Sequence, residues 1–369
     1  MTLKVAFSHD WLNGMRGGEK CLEVLCELYP DSPIYTLFYE RDKISETIAK
    51  HPIRPSALQH FPNVFSSYRY YLPLYPQAIE SFRPEDCDLL ISTNHCVAKG
   101  LKRGKSARHI CYCFTPMRYA WGFFDEYFSK RNEISKWVIR QVIHRMRDWD
   151  LRSNDGVDHF IAISHHIRKR ILQCYGREAE VIYPPVDTDF YTPDPDLETE
   201  DFYLIVSALV PYKKIDLAIR VFNRLGRRLI IIGDGPERKS LEAQASKNIR
   251  FLGWQPNEVL RDHYRRTKAL IFPGEEDFGI VPVEVQACGR FVIAYAAGGV
   301  LETVLDRKTG VFFGSPDETG LEKAVLAYES EHFLPQHARD NALRFSRQRF
   351  KSEMHQSIQQ FLSSAGSAS

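Results

Sequence analysis

Short apolar runs alternate with amphipathic stretches of helical period along the whole 369-residue chain. Lys4–Ser8, Cys87–Ser92, His109–Phe114 and His159–Ile163 have the content of buried strands in the first half. Phe202–Ser207, Arg228–Ile232, Arg250–Leu252, Ala269–Phe272 and Phe291–Tyr295 have it in the second. Strands regularly separated by helical pattern predict parallel sheets covered by helices, an α/β architecture. Between the two sets, Tyr183-Pro184-Pro185-Val186-Asp187-Thr188-Asp189 leads to Pro193 and an acidic run from Asp194 to Asp201. Its low propensity for helix or strand marks a linker, with the boundary near Asp187. A long amphipathic helix is predicted from Arg344 through about Phe361, before a small polar tail that should fray. The expected organisation is a first domain over 1–186, a second over 187–343, and a helix with its tail over 344–369.

Length and composition fit this division. A chain of 369 residues can bury two cores, and its 44% hydrophobic and 26% charged content is ordinary for a globular protein. No apolar run approaches a membrane span, and the N-terminal residues read as a first strand rather than a secretory leader. The eight cysteines lack the spacing of a zinc site or disulfide framework, so a reducing cytoplasm is the expected setting. The formal charge of +2 hides an asymmetry, +5 through Pro185 and −3 beyond it. The excess lies between Lys99 and Arg147, where twelve basic residues face three acidic ones. Such a stretch is either a solvated helix face or a surface for anionic lipid headgroups or anionic acceptors. No nucleic-acid motif accompanies it, so nucleic acid is not an expected partner.

The stretch carrying most chemistry is Pro273-Gly274-Glu275-Glu276-Asp277-Phe278-Gly279-Ile280-Val281-Pro282-Val283-Glu284. A strand runs into a glycine-bearing loop, and Pro282 suits the first turn of the following helix. Glu276 can meet a ligand while the amides near Gly279 and Ile280 point at an anion. Glu284 could accept hydrogen bonds from vicinal hydroxyls such as a ribose edge. Together these suit a sugar nucleotide, although acidic residues also favour helix N-termini for purely structural reasons.

Other strand exits add to this picture. His9-Asp10-Trp11 precedes Gly17-Gly18-Glu19-Lys20, where glycines let backbone approach a diphosphate; alone, such a turn is usually only a turn. Lys213 and Lys214 follow the strand Phe202–Ser207. His95 leaves another strand. Arg118, Tyr119 and Trp121 offer a cation and aromatic platforms for an acceptor sugar or phosphate. Tyr68–Pro76 mixes aromatics with Arg69 and fits a membrane interface or an aromatic core equally well. Ile232-Gly233-Asp234-Gly235-Pro236 fails as a dinucleotide fingerprint, because Arg238 stands where the third glycine belongs.

With these motifs in order, the chain resembles family 4 of the retaining glycosyltransferases over roughly residues 4 to 350. Glu276 and Glu284 match that family's Glu-x7-Glu motif. Val206–Lys214, Ile232–Pro236, Phe251–Trp254, Gly298–Thr303, Gly17–Lys20 and Tyr183–Asp187 follow its order. The resemblance implies the GT-B fold, two Rossmann-like doubly wound domains facing across a cleft, with the C-terminal helix crossing back to the first. It implies Glu276 and Lys213 as catalytic residues and Gly17, Gly18, Lys214, Gly233, Gly235, Phe278, Gly279, Ile280 and Glu284 at the donor. Gly253 and Trp254 would border the base, although Trp254 could equally be core. His9, His95, Arg118, Tyr119 and Trp121 would serve the acceptor side. No metal or other cofactor is expected. The nearest look-alikes are bacterial mannosyltransferases building O-antigen and surface polysaccharide. The implied activity is therefore hexosyl transfer, from GDP-mannose by resemblance, to a saccharide or lipid-linked acceptor at the inner membrane face. Two departures stand out. Ala208 occupies the family's arginine position, and relatives commonly have histidine where this chain has Phe114 and Asp where it has Gly122. They leave open a non-catalytic sugar-nucleotide or glycan-binding scaffold and, further off, a sugar-nucleotide epimerase.

Overall fold

The computed structural model describes residues 3–84, 87–118, 120–122 and 133–364, with backbone alone for 133–135 and 138. The chain forms two compact units, Met1–Pro184 with Phe350–Ser369, and Pro185–Arg349.

Among the described residues the first unit holds a seven-stranded sheet of order β3-β2-β1-β4-β5-β6-β7. Its strands are β1 (Val5–His9), β2 (Ile34–Thr36), β3 (Ile53–Pro55), β4 (Leu89–Asn94), β5 (Arg108–Cys113), β6 (His159–Ala162) and β7 (Glu180–Val181). Every pairing is parallel. β1 and β4 are buried along their whole length, as a sheet covered on both faces requires. Strands following β1 add on one side and strands following β4 on the other, so the order reverses between them. Open α/β sheets bind ligands outside that switch point. Helix α1 (Gly17–Leu28) follows β1 and buries Cys21, Leu22, Val24 and Leu25. α2 (Glu133–Arg152) and α3 (His165–Tyr175) follow, α3 opening on Ser164, whose hydroxyl accepts the Ile167 N–H at 3.1 Å.

The C-terminal helix Arg347–Ser363 completes this unit from Phe350 onward. Phe350 meets Tyr112 edge-on at 5.6 Å, Phe361 stacks on His159 at 5.4 Å, and the Ser357 hydroxyl donates to Glu180 at 2.6 Å. The helix begins at Arg347, later than the hydrophobic pattern predicts. Ser346 caps it, accepting the Arg349 N–H at 3.3 Å, and Phe345 is withdrawn into the second unit's core.

The second unit holds a six-stranded parallel sheet of order β10-β9-β8-β11-β12-β13 among the described residues. Its strands are β8 (Tyr203–Val206), β9 (Leu229–Ile232), β10 (Ile249–Gly253), β11 (Ala269–Phe272), β12 (Phe291–Tyr295) and β13 (Gly310–Phe313). Here the order reverses between β8 and β11. α4 (Ile215–Leu225) buries Ile215, Ala218, Ile219 and Phe222 at helical spacing and ends on Gly226 at φ 67°. α5 (Asn257–Arg266), α6 (Ile280–Ala287) and α7 (Glu318–Ser330) follow along the chain. No helix among the described residues is long and apolar enough to cross a membrane.

Candidate functional site

In the second unit two strand exits converge at the switch point. β8 leads through exposed Ala208 to a short 3-10 turn, Pro211–Lys213, and Lys214 follows at φ 53° to open α4. β11 leads through Pro273 and Gly274 to Glu276. The Lys213 ammonium and the Glu276 carboxylate form an ion pair across the gap. Gly274 makes the approach possible, since a Cβ there would lie 2.9 Å from Lys213 Cα. From the other side Gly298 and Gly299 clamp the loop. The Gly299 N–H donates to Glu276 O at 2.7 Å, and a Cβ on Gly298 would stand 2.3 Å from that oxygen. A loop gripped by backbone on both sides fixes the main chain of Glu276, and the Lys213 ammonium meets its carboxylate.

Gly279 sits at φ 89°, a left-handed position natural to glycine, and opens α6 with Ile280 as its first residue. Glu284 lies one turn into α6, and it is 4% exposed. The Tyr264 hydroxyl from α5 donates to it at 3.0 Å. Burial, then the Glu284 charge, push the Tyr264 hydroxyl well above the ordinary tyrosine range, so it stays protonated and donating.

Several residues expected at the donor have structural work here. Phe278 is 3% exposed and packs edge-on against Phe345 at 5.6 Å. Gly233, at φ 129°, would place a Cβ 1.9 Å from Ser207 O, and Gly235 one 2.4 Å from Leu209 O. Both let the β9 exit pack backbone to backbone on the β8 exit loop. Trp254 is 76% exposed, so its placement in a core fails, while Gly253 beside it is buried at φ 70°.

In the first unit the exits of β1 and β4 meet in the same way, with His9 paired in register with Thr93. Asp10 is fully buried. Its carboxylate accepts the backbone N–H groups of His95 (2.8 Å), Cys96 (3.0 Å), Val97 (2.6 Å) and Ala98 (2.8 Å), and lies 2.9 Å from His95 Nδ1. Burial alone would raise its pKa, but the His95 ring and these donors overcome it and hold the carboxyl at about 2. On His95 burial likewise opposes charge, yet Asp10 and Glu19 raise its pKa despite nearby Arg118. Glu19 is buried at the head of α1 and accepts the Arg16 N–H at 3.1 Å. His9 is driven the other way, to about 3, chiefly by burial, and remains neutral. Gly17 and Gly18 open α1, and a Cβ on Gly18 would lie 3.2 Å from Phe114 and 3.6 Å from His9.

The acceptor-side residues fare unevenly. His9, His95 and Arg118 gather near this point. Trp121 is tied down, its indole N–H donating to Asp150 at 2.7 Å and its ring edge-on to Tyr175. Tyr119 lies outside the described residues. Sequence reasoning missed Asp10 as the organiser of His95, Tyr264 as the partner of Glu284, and Gly274 as the spacer. Gly298 and Gly299 were visible only as a motif. No cluster of three or more metal-ligating side chains occurs among the described residues.

A family model described as Glycosyltransferase Family 4 matches residues 34–190, and one described as Glycosyl transferases group 1 matches 188–345. A GDP-mannose-dependent alpha-(1-6)-phosphatidylinositol monomannoside mannosyltransferase of Mycolicibacterium smegmatis is 32% identical over 204 residues, 47% of this chain and 53% of that protein. The chain thus spans about half the length of this curated relative. Among solved structures, sucrose-phosphate synthase from Thermosynechococcus elongatus aligns with TM-score 0.73 at 17% identity, covering 98% of this chain and all of its own. The Anabaena protein HepE, in complex with UDP and glucose, aligns with TM-score 0.70 at 16% identity over 97% of this chain and all of its own.

Proposed function

Because the chain belongs to family 4 of the glycosyltransferases and has the GT-B fold, we propose that it transfers a hexose from a sugar nucleotide with retention of anomeric configuration. The observation carrying this reading is the Lys213–Glu276 pair at the β8/β11 switch point. An ammonium has three donors and a carboxylate only acceptors, so a sugar diphosphate inserted there finds a partner for each of its ends. The bond from the anomeric carbon to the diphosphate oxygen breaks with its electron pair leaving on the diphosphate. Lys213 and the first N–H groups of α6 offset that growing charge. Glu276 supports the electron-poor sugar carbon, the acceptor oxygen bonds to it, and the acceptor proton leaves with the diphosphate. Since Lys213 and helix amides supply the neutralisation, the expected mechanism needs no metal.

The proposed donor is GDP-mannose, supported by the Mycolicibacterium relative, and the proposed acceptor a saccharide or lipid-linked saccharide in surface polysaccharide or lipopolysaccharide synthesis. The test is incubation of labelled GDP-mannose with lipid-linked saccharide acceptors in excess chelator, with the new linkage read by NMR. An α-mannosyl product supports the reading. Absence of transfer from GDP- and UDP-sugars that the protein binds, reversed by Ala208→Arg, would establish the non-catalytic alternative that Ala208 favours. Activity lost to chelator and restored by manganese would sink the metal-free mechanism.

Glu284 is proposed to hold the ribose. Glu284→Ala should weaken GDP binding by roughly 1.5–3 kcal/mol, the usual range for lost charge-assisted hydrogen bonds. It also strands the Tyr264 hydroxyl, so Glu284→Gln, which still accepts from Tyr264, separates binding from stability. Unchanged calorimetric affinity in both variants would remove Glu284 from the site.

A peripheral position at an anionic membrane is proposed as well. Part of the basic stretch is spent internally: Lys99 is buried on Asp150 at 2.9 Å, Arg103 pairs with Asp158 at 2.7 Å, and Arg147 covers Trp121 at 4.1 Å. The same helix α2 carries Lys136, Arg140 and Arg145 along with Trp137, which is 63% exposed. Binding to anionic vesicles should fall as salt screens it over about 8–10 Å. Equal binding to neutral vesicles would return α2 to a plain solvated face.

A further inference from the structure

The head of α1 holds a polar atom whose lack of a partner calls for a ligand. The His9 ring is 1% exposed, and its Nε2 is buried without a hydrogen-bond partner. Its Nδ1 lies 2.7 Å from Thr93 Oγ1, while the Thr93 hydroxyl reaches Ser8 O at 3.3 Å. With the Thr93 proton directed at Ser8 O, Nδ1 carries the imidazole proton and Nε2 keeps a lone pair. A buried acceptor left unmade is costly, and a native structure tolerates one where something else completes it.

The surroundings say what that is. Gly18 has no side chain, and a Cβ there would lie 3.6 Å from His9 Cε1, the ring carbon beside Nε2, so that corner of the imidazole borders the first turn of α1. The His95 ring stands with its centroid 6.5 Å from that of His9, fixed by Asp10 through Nδ1 and edge-on to Trp11 at 4.5 Å. Half-buried Phe114 lies 6.4 Å from His95 and forms an apolar wall. A lone pair on neutral imidazole rejects a phosphate oxygen, which has no proton to give, and welcomes a hydroxyl. An apolar ring beside it suits the C–H face of a pyranose.

We propose that His9, His95 and Phe114 form a pyranose subsite in the first unit, in which His9 Nε2 accepts the hydrogen bond of one sugar hydroxyl. The subsite rests on the glycosyltransferase reading above and specifies how that enzyme recognises a sugar. His95 turns its Nε2 edge to a second oxygen of the same ring. The sugar belongs either to the nucleotide donor or to the acceptor, and the experiment tells them apart.

His9→Phe removes the acceptor, whereas His9→Gln restores an oxygen near the position of Nε2. Calorimetry with GDP-mannose against GDP reads a donor sugar, and saturation-transfer NMR with methyl α-D-mannopyranoside reads an acceptor sugar. His9→Phe should weaken one of these two sugars about 10- to 100-fold, with GDP affinity unchanged, because a hydroxyl has lost its buried partner. His9→Gln should recover most of that affinity. The thermal midpoint of His9→Phe should fall by no more than the Nδ1–Thr93 bond that the change also removes, since Nε2 has no partner in the protein to lose. Unaltered affinity for both sugars would overturn the proposal. So would a lowered midpoint in both variants with parallel loss of GDP binding, the mark of a structural histidine. Wild-type protein that binds either sugar but transfers none would refute the transferase reading alone, because the binding measurements do not depend on turnover.

Discussion

Lys213→Ala should abolish transfer while leaving the unfolding midpoint little changed. The ammonium lies on a turn at the end of β8, outside the second unit's core, and its side chain is 12% exposed beside Glu276. Removing one well-placed donor from a comparable anion-stabilising site costs about 2.7–4 kcal/mol in the transition state, a 100- to 1,000-fold loss of rate. No second cation stands at position 208, which is an exposed alanine, so little compensates. The Glu276 carboxylate left behind is 21% exposed and can recruit water, which keeps the stability cost modest. Ala208→Arg should keep or raise turnover, because nothing buries that position. Steady-state kinetics and a melting curve check both variants, and full activity in Lys213→Ala would show that the diphosphate does not bind at this turn.

Asp10→Ala should destabilise the first unit by about 3–5 kcal/mol, the range for stripping one partner from a buried charged network. Four backbone N–H groups and the His95 ring would lose their common acceptor. Urea unfolding measures it as a lower midpoint. The acid limb carries a second signature. Because the Asp10 pKa is lowered in the fold from 3.8 to about 2, its stabilisation is complete above pH 3.8 and is lost as pH falls through 2. Buried His9 and His109, lowered by burial from 6.5 to about 3 and about 4, favour unfolding earlier, as pH drops below 6.5 and the unfolded chain takes up their protons. Wild type should therefore weaken from pH 6.5 downward, and Asp10→Ala should lose the part below pH 4. An unchanged urea midpoint would mean that water or another group replaces the carboxylate.

The nine strands predicted from apolar runs all exist, because a strand buried on both faces needs little more than a continuous apolar run. β2, β3, β7 and β13 escaped. β2 and β3 have three residues each and β7 two, too few to show a period, and β13 opens on Gly310. The site was legible where its signal is local. Glu276 and Lys213 both lie in the loops that leave strands β11 and β8, and Gly279 opens a helix. What was hidden comes from distance along the chain. Asp10 finds its partners at residues 95 to 98, and nothing within its own loop announces them. The Tyr264 hydroxyl reaches Glu284 from another helix, and only packing shows it. Phe278 shows the converse: its motif suggested a ligand, whereas its ring is consumed by Phe345.

Because Phe350 onward belongs to the first unit, that unit is completed only after the whole of the second has been synthesised. The second unit is one uninterrupted segment and can close as soon as residue 349 has cleared the ribosome. Until the helix Arg347–Ser363 emerges, Tyr112, His159 and Glu180 await Phe350, Phe361 and Ser357. The nascent first unit must therefore wait, incomplete, through translation of the entire second one. Ribosome-bound chains stopped at residue 345 should accordingly be cut by protease within the first 184 residues, and equal resistance in the full-length chain and the stalled one would show that the early unit stands alone.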